Sequence, residues 1–503
     1  MPERAVGPRE SLPPDPGARW LLALLLALLL APSVWLAYLP MTDLPQHLAV
    51  ASILMNHTDP RFGFAAWYEP AWGRSLYLLP YLCTLALAPL VSLEGGMRIV
   101  VVLALALLPL GTWALLRALR KPEWLALLSL PLVYNRAFFW GFVNFQLALG
   151  LALFALAILV RPPRGAASEL ALAALCALMI PTHPYGLLIL AGIVCVWLLL
   201  GERRALLRHA LGLTPLALGL LAWGLQAGSS AGAPTFTFEP LLERLDDFEE
   251  SVLGGYRDAS EAWLLIAFLV AWAARTARAL PFTRERWRAL EHPERVLWVF
   301  AGVNLLLFAV VPANTSLVGE VHMRHAVIAM AILPALAARD AGREHARLAR
   351  RALVLLALLT IANAWLHLIR FDREARGFDA VIEQIPWGSK IVALTWDANG
   401  SVMRTWPYWH FAAYAQARRG GLIAQSFPRM FWNLPVRVRE DARIPASPSV
   451  LFAKPQLFDY ASFGFFYDVV LVRTGETKGR DRFAEFPYAR SFEAPPWQLW
   501  KPR

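Results

Sequence analysis

The sequence predicts an α-helical polytopic membrane protein, with about 11 to 12 spans and a small C-terminal α/β domain outside the cytoplasm. Three observations predict it. Of 503 residues, 57% are hydrophobic and 17% charged, and the mean hydropathy is +0.46, well beyond what a soluble core of this size needs. Apolar runs of membrane-crossing length recur from residue 20 to residue 370, separated by short polar connectors. Beyond residue 371 the pattern turns to mixed helix and strand.

Residues 1–19, rich in Pro and charge, read as a disordered cytoplasmic tail. "WLLALLLALLLAPSVWLAYL" (20–39) has the length of one span. Bulky Trp35 stands where signal cleavage needs a small residue, so the run reads as an uncleaved anchor. An outer loop, 40–75, follows. The run 76–93 carries Pro80 and Pro89 and reads as re-entrant or interfacial, because counting it as a crossing reverses every later loop against the charge rule. Further spans are expected at 97–116, 123–137, 143–160, 169–183, 184–200, 209–226, 261–280, 295–312, 324–338 and 352–370.

Alternate connectors differ in charge: one set holds 19 Lys and Arg, the other seven. The rich set belongs in the cytoplasm. That places the C-terminal domain, 371–503, on the opposite side, with "FDREARGFDAVIEQI" and "YWHFAAYAQARRGG" as helices and "GSKIVALTWD" and "YDVVLVR" as strands. Cys83, Cys176 and Cys195 lie in apolar runs with no ligand or pairing pattern. The charge of +11 follows the topology rule, so nucleic acid is not an expected partner.

With this orientation, ionisable residues near membrane depth gather on one side, a functional hint because such groups are costly there. Asp43 and His47 in "TDLPQH" lie one helical turn apart. The plainer reading makes Asp43 a helix N-cap with Gln46 as its reciprocal partner. His183 sits between Pro181 and Pro184, and Asn135, Arg136 and Asn144 fit a turn at membrane depth. Phe138, Phe139 and Trp140 read as an interfacial aromatic belt. "GEVHMRH" brings Glu320, His322, Arg324 and His325 to the start of a span; an arginine there offers a planar fork for phosphate oxygens, or else snorkels. No zinc-protease spacing occurs. Asp43, as one carboxylate, is compatible with Mg²⁺ or Mn²⁺ shared with substrate phosphates.

A first span, an outer loop opening with an acidic residue, about a dozen helices and an outer α/β domain resemble the GT-C class of integral membrane glycosyltransferases. The layout is similar to that of bacterial protein mannosyltransferases and of the lipid A aminoarabinose transferase. The resemblance implies transfer of a sugar from a polyprenyl-phosphate donor in the membrane to a glycan, lipid or protein acceptor, in a bacterial inner membrane. It makes Asp43 the residue that activates the acceptor or helps hold a metal. The paired acidic motif of the class is missing, since Leu44 follows Asp43; Glu69, later in the same loop, is a candidate second acid. Taken together, the candidate substrate-binding residues are His47, His183, Glu320, His322 and Arg324. A lipid-substrate transporter or flippase, or a non-catalytic envelope assembly protein, are the competing readings; transporters usually place polar groups near the midplane and show repeated halves.

Overall fold

The computed structural model describes residues 15–503 except 164, 229–234, 278–279, 316–317, 339–342, 432, 447–450, 452 and 475–486. Most of the expected tail therefore lies outside the described residues.

Helix α1 (Pro16–Trp35) leads through a short coil to α2 (Leu44–Asn56). Next come α3 (Leu79–Val91) and α4 (Leu93–Ala118). At about 1.5 Å per residue, α3 spans only about 20 Å of a roughly 30 Å hydrocarbon core. The turn at Ser92 (φ 81°) folds it straight back on α4. Glu123–Leu132 is a 3₁₀ segment instead of the α-helical span expected over 123–137. Pro122 caps it and Pro131 lies within it, where proline has no amide for a helical hydrogen bond. Helices α5 (Arg136–Trp140), α6 (Val143–Leu159), α7 (Ala166–Met179) and α8 (Pro184–Leu199) follow. After these run α9 (Arg203–Leu207), α10 (Ala210–Gly228), α11 (Leu241–Asp246), α12 (Phe248–Val252), α13 (Ser260–Thr276), α14 (Arg284–Ala289), α15 (His292–Val310), α16 (Val321–Leu336) and α17 (Arg343–Ala375).

The chain is an integral membrane protein. Among the described helices, α1, α4, α15 and α17 with its continuation are long and apolar enough to cross a membrane, and shorter apolar helices pack among them. Helices α4 and α6 touch closely: a Cβ at Gly150 would stand 2.3 Å from the Leu107 side chain. Small residues allow this approach where apolar burial gives no drive of its own.

The bundle has two chemically distinct ends. One collects Lys121 with Glu294 (3.0 Å), Arg19 with Glu123 (3.1 Å) and His209 with Glu169 (2.6 Å). The other carries Asp43, His183 and Arg324, and the C-terminal domain meets α2 there through Gln425 and Phe427.

That domain holds a five-stranded sheet in the order β5 (Leu422–Ile423), β4 (Lys390–Thr395), β7 (Val469–Arg473), β9 (Trp497–Pro502), β8 (Tyr488–Ala494). The β4, β5 and β7 strands are parallel, whereas β9 and β8 are antiparallel. Wholly buried β7 is the strand expected at "YDVVLVR". Arg418 clamps the domain to the bundle through Glu94 at the start of α4 (2.6 Å), while also pairing with Asp379 inside the domain (2.8 Å). Tyr38 joins in, its hydroxyl donating to Asp379 (2.5 Å) and its amide to Asp372 (2.9 Å).

Candidate active site

Backbone bonds fix Asp43. The amides of Thr42 and Asp43 donate to the carbonyls of Phe139 (2.9 Å) and Trp140 (3.0 Å) at the end of α5. Gly141 makes the approach feasible: its φ is 87°, and a Cβ there would lie 2.8 Å from the Asp43 amide nitrogen. Asp43 begins α2, and its carbonyl accepts the His47 amide (3.0 Å), yet its carboxylate makes no capping bond. Pro45 in the first turn has no N–H to offer. Nor does Gln46 close a capping box. Its side chain reaches the outer domain, accepting from the Phe427 amide (3.0 Å) and donating to the Gln425 carbonyl (2.7 Å). The plainer reading of "TDLPQH" therefore fails, and the carboxylate is free for other work.

What it faces is His410, Nε2 lying 3.6 Å from Oδ1, an approach longer than a hydrogen bond. Burial, with His47 alongside, pushes His410 down to about 3, so this is a neutral imidazole beside a carboxyl and not an ion pair. Burial pushes the Asp43 carboxyl up to about 8, a rise partly offset by the Arg324 charge. His47 does not bond to the carboxylate. Its Nδ1 stands 2.7 Å from the Tyr81 hydroxyl, its ring lies edge-on to Phe427, and burial lowers it to about 4.

Arg324 occupies the first turn of α16, 4% exposed. Its guanidinium lies over the rings of Phe142 (4.3 Å), Tyr185 (5.2 Å) and Phe145 (5.4 Å), a cation–π environment. One nitrogen donates to the Gly319 carbonyl (3.2 Å), Nε has no partner, and none of the described carboxylates pairs with it. His183, the N-cap of α8, accepts the Tyr185 amide at Nδ1 (3.0 Å), so the neutral ring keeps its proton on Nε2. That Nε2 sits 3.3 Å from Arg324 Nη1. Two donors face each other there, and an anion between them would satisfy both. A buried arginine without a counter-charge is costly.

The remaining candidates do not join this group. His322 and His325 lie on the face of α16 turned to α15, where His322 stacks on Phe308 and His325 bonds Asn304 (2.9 Å). Glu320 starts α16 at φ 53° with no capping bond. Burial raises its carboxyl, and among the charges that ease this Arg136 comes ahead of Arg324. Arg136 is itself paired with Glu250 (3.0 Å). Glu69, on β1 (Tyr68–Pro70), is held by Arg437 of β6 (Val436–Val438). Phe138 and Phe139 are fully buried rather than facing lipid.

Sequence reasoning missed His410 and Tyr81. His410 lies in the turns before α19 (Ala413–Arg419), not in the helix expected from Tyr408 onward.

Two structures of ArnT from Cupriavidus metallidurans match nearly the whole molecule. The form bound to undecaprenyl phosphate aligns at 12% identity and TM-score 0.54, covering 96% of this chain and 97% of ArnT. The apo form gives 12% and 0.54, with 97% and 98% covered. The fold is GT-C-like. An Archaeoglobus fulgidus oligosaccharyltransferase, solved with Zn and sulfate, aligns at 11% identity and TM-score 0.45 over 90% of this chain and 68% of its own. Comparison with family models and with curated proteins gives no match.

Within this GT-C-like frame, a divalent ion at Asp43 would find one carboxylate and one nearby imidazole nitrogen. No group of three potential ligands occurs among the described residues. That donor set would hold an ion only together with oxygen ligands from a substrate phosphate.

Proposed function

We propose that the protein is a membrane glycosyltransferase that moves a sugar from a polyprenyl-phosphate donor to an acceptor hydroxyl on the extracytoplasmic side. One observation carries the reading: a buried Arg324, with none of the described carboxylates in pairing distance, faces His183 Nε2 and acts through its charge on Asp43, whose carboxyl burial pushes up to about 8. The GT-C-like fold, shared with an ArnT bound to undecaprenyl phosphate, supports it. So does the bias of basic residues toward the connectors at the opposite end, which favours an extracytoplasmic position for that domain.

Asp43 takes the proton from the acceptor hydroxyl. The oxygen attacks the anomeric carbon, and the bond from that carbon to the donor phosphate breaks. The departing polyprenyl phosphate gains a negative charge, which Arg324 and the His183 N–H stabilise. Neutral His410 and His47 flank the carboxyl without donating charge to it. The polyprenyl chain stays among the membrane helices, so only the headgroup reaches Asp43 and Arg324.

The test is turnover of a labelled undecaprenyl-phosphate sugar by the purified protein. Release of undecaprenyl phosphate that depends on Asp43 supports transfer. Transbilayer movement of the intact donor without cleavage favours a flippase.

A further inference from the structure

A cavity of about 480 Å³, which contains none of the residues assigned to transfer, is lined by three arginines. Arg370 and Arg373 come from the last two turns of α17, Arg257 and Asp258 from the loop before α13, and Ser401 and Val402 from the C-terminal domain. These segments are tied together: the Arg257 amide donates to the Val402 carbonyl (3.0 Å) and its Nε to the Met403 carbonyl (3.0 Å). A volume of this size suits a bound ligand.

The positive charge is not neutralised from within. Arg370 and Arg373 are exposed, and neither has a hydrogen bond or ion pair with any described residue. Asp258 is already engaged: Oδ1 accepts the amide (3.0 Å) and the hydroxyl of Ser260, and Oδ2 faces Nε2 of buried His367 (2.8 Å). Ser401 directs its amide and its hydroxyl to Glu374, which also holds Arg473. The described wall thus sets three guanidinium charges against one carboxylate. Like charges three residues apart on a helix repel, and a phosphate between them turns that repulsion into charge-assisted hydrogen bonds.

The helices leading to the cavity indicate where that phosphate comes from. On α17, which with its continuation is long and apolar enough to cross a membrane, Leu355, Leu359 and Leu366 are exposed. Arg370 and Arg373 follow Leu366 at helical spacing, so they continue the same stripe. They stand about 6 to 10 Å beyond it along the axis, comparable to the headgroup layer beside the hydrocarbon core. On α13, Trp263, Ile266 and Val270 form a second exposed apolar stripe, beginning just after Asp258. Acyl chains on such stripes deliver a headgroup to the arginines; a soluble anion has no use for them.

We infer that Arg257, Arg370 and Arg373 hold the phosphate of an anionic phospholipid from the surrounding leaflet, at the junction of α13, α17 and the C-terminal domain. The site is independent of whether the protein moves a sugar.

The experiment titrates the purified full-length protein in detergent with dioleoyl-phosphatidylglycerol, dioleoyl-phosphatidylcholine and inorganic phosphate. Native mass spectrometry counts lipid adducts, and the thermal midpoint reads stabilisation by whatever binds the folded state. Phosphatidylglycerol adducts should exceed those of phosphatidylcholine by about tenfold or more, since each basic residue near a bilayer surface changes affinity for anionic lipid about fivefold. That preference should drop about fivefold or more in Arg370→Gln/Arg373→Gln. Glutamine is a good helix former, so the lipid-free midpoint should stay near the wild type. Each single variant should show part of the fall, which keeps the test decisive if the double variant folds poorly. Arg288→Gln, exposed on α14, should keep the full preference. Equal binding of the two lipids overturns the site, as does a preference unchanged in the single and double variants. An equal loss in Arg288→Gln also overturns it, by reducing the effect to general charge. Stabilisation by inorganic phosphate with no preference between the lipids overturns the lipid and makes the ligand a soluble anion.

Discussion

Oδ1 of Asp43 and Nε2 of His410 stand 3.6 Å apart, so the first loop of the membrane bundle and the C-terminal domain together enclose one carboxyl. Neither part makes that environment alone. Enclosure lifts the carboxyl to about 8 and gives it the properties of a base matched to its setting.

A pH dependence follows. The base is active when deprotonated, so kcat/KM should rise with pH and level off above about 8, with no second inflection near neutrality from His47 or His410, whose protonation burial confines to acid pH. Stability runs the other way. Between the ordinary carboxylate range and about 8 the folded protein holds a proton on Asp43 that the unfolded chain has lost, so stability falls as pH rises through that window. Asp43→Asn removes this dependence. Its thermal midpoint should match the wild type near pH 4 and exceed it at pH 9, as read by a thermal-shift assay in detergent.

Arg324→Lys keeps the charge and loses the planar fork seated over Phe142. We expect kcat for the undecaprenyl-phosphate sugar to drop about tenfold or more, and a greater loss in Arg324→Ala, since charge-assisted bonds to the leaving group are worth several kcal/mol. Unchanged kinetics in Arg324→Ala would make this arginine an anchor and nothing else.

His183 does two jobs that one substitution separates. Asparagine caps helices well, so His183→Asn should leave the thermal midpoint near the wild type while removing the Nε2 proton beside Arg324. Activity should fall roughly three- to tenfold, about the value of one hydrogen bond. His183→Ala should lose stability as well. Equal activity in His183→Asn and the wild type would reduce His183 to a cap.

How far the sequence discloses this arrangement depends on which residues carry the signal. The charge division between connectors and the lone ionisable groups at helix starts point to Asp43, His183 and Arg324, because a membrane tolerates such groups only with a purpose. Spacing along a helix says less. His47 shares a face with Asp43 by periodicity, yet its partner is Tyr81, a residue hidden in an apolar run. His322 and Glu320 are close to Arg324 in sequence, but α16 carries them toward other surfaces. His410 comes from the far end of the chain, and no local pattern joins it to Asp43. The two prolines around the 3₁₀ segment were visible, and they marked the place where an expected α-helix took another form.

Chelation separates the two ways of supplying positive charge. With Arg324 in that role, EDTA should leave turnover within about twofold of the untreated enzyme, since a metal acting on the leaving group is normally worth much more. A loss restored by Mn²⁺ or Mg²⁺ would place an ion on Asp43.

The most direct measurement is single-turnover discharge of labelled undecaprenyl-phosphate sugar by Asp43→Asn, compared with the wild type at pH 8 in equal amounts of well-folded protein. Asparagine matches the size of aspartate and cannot take up the proton. The account predicts a fall on the order of 10²-fold or more, with donor binding kept. Full activity in the variant would contradict it.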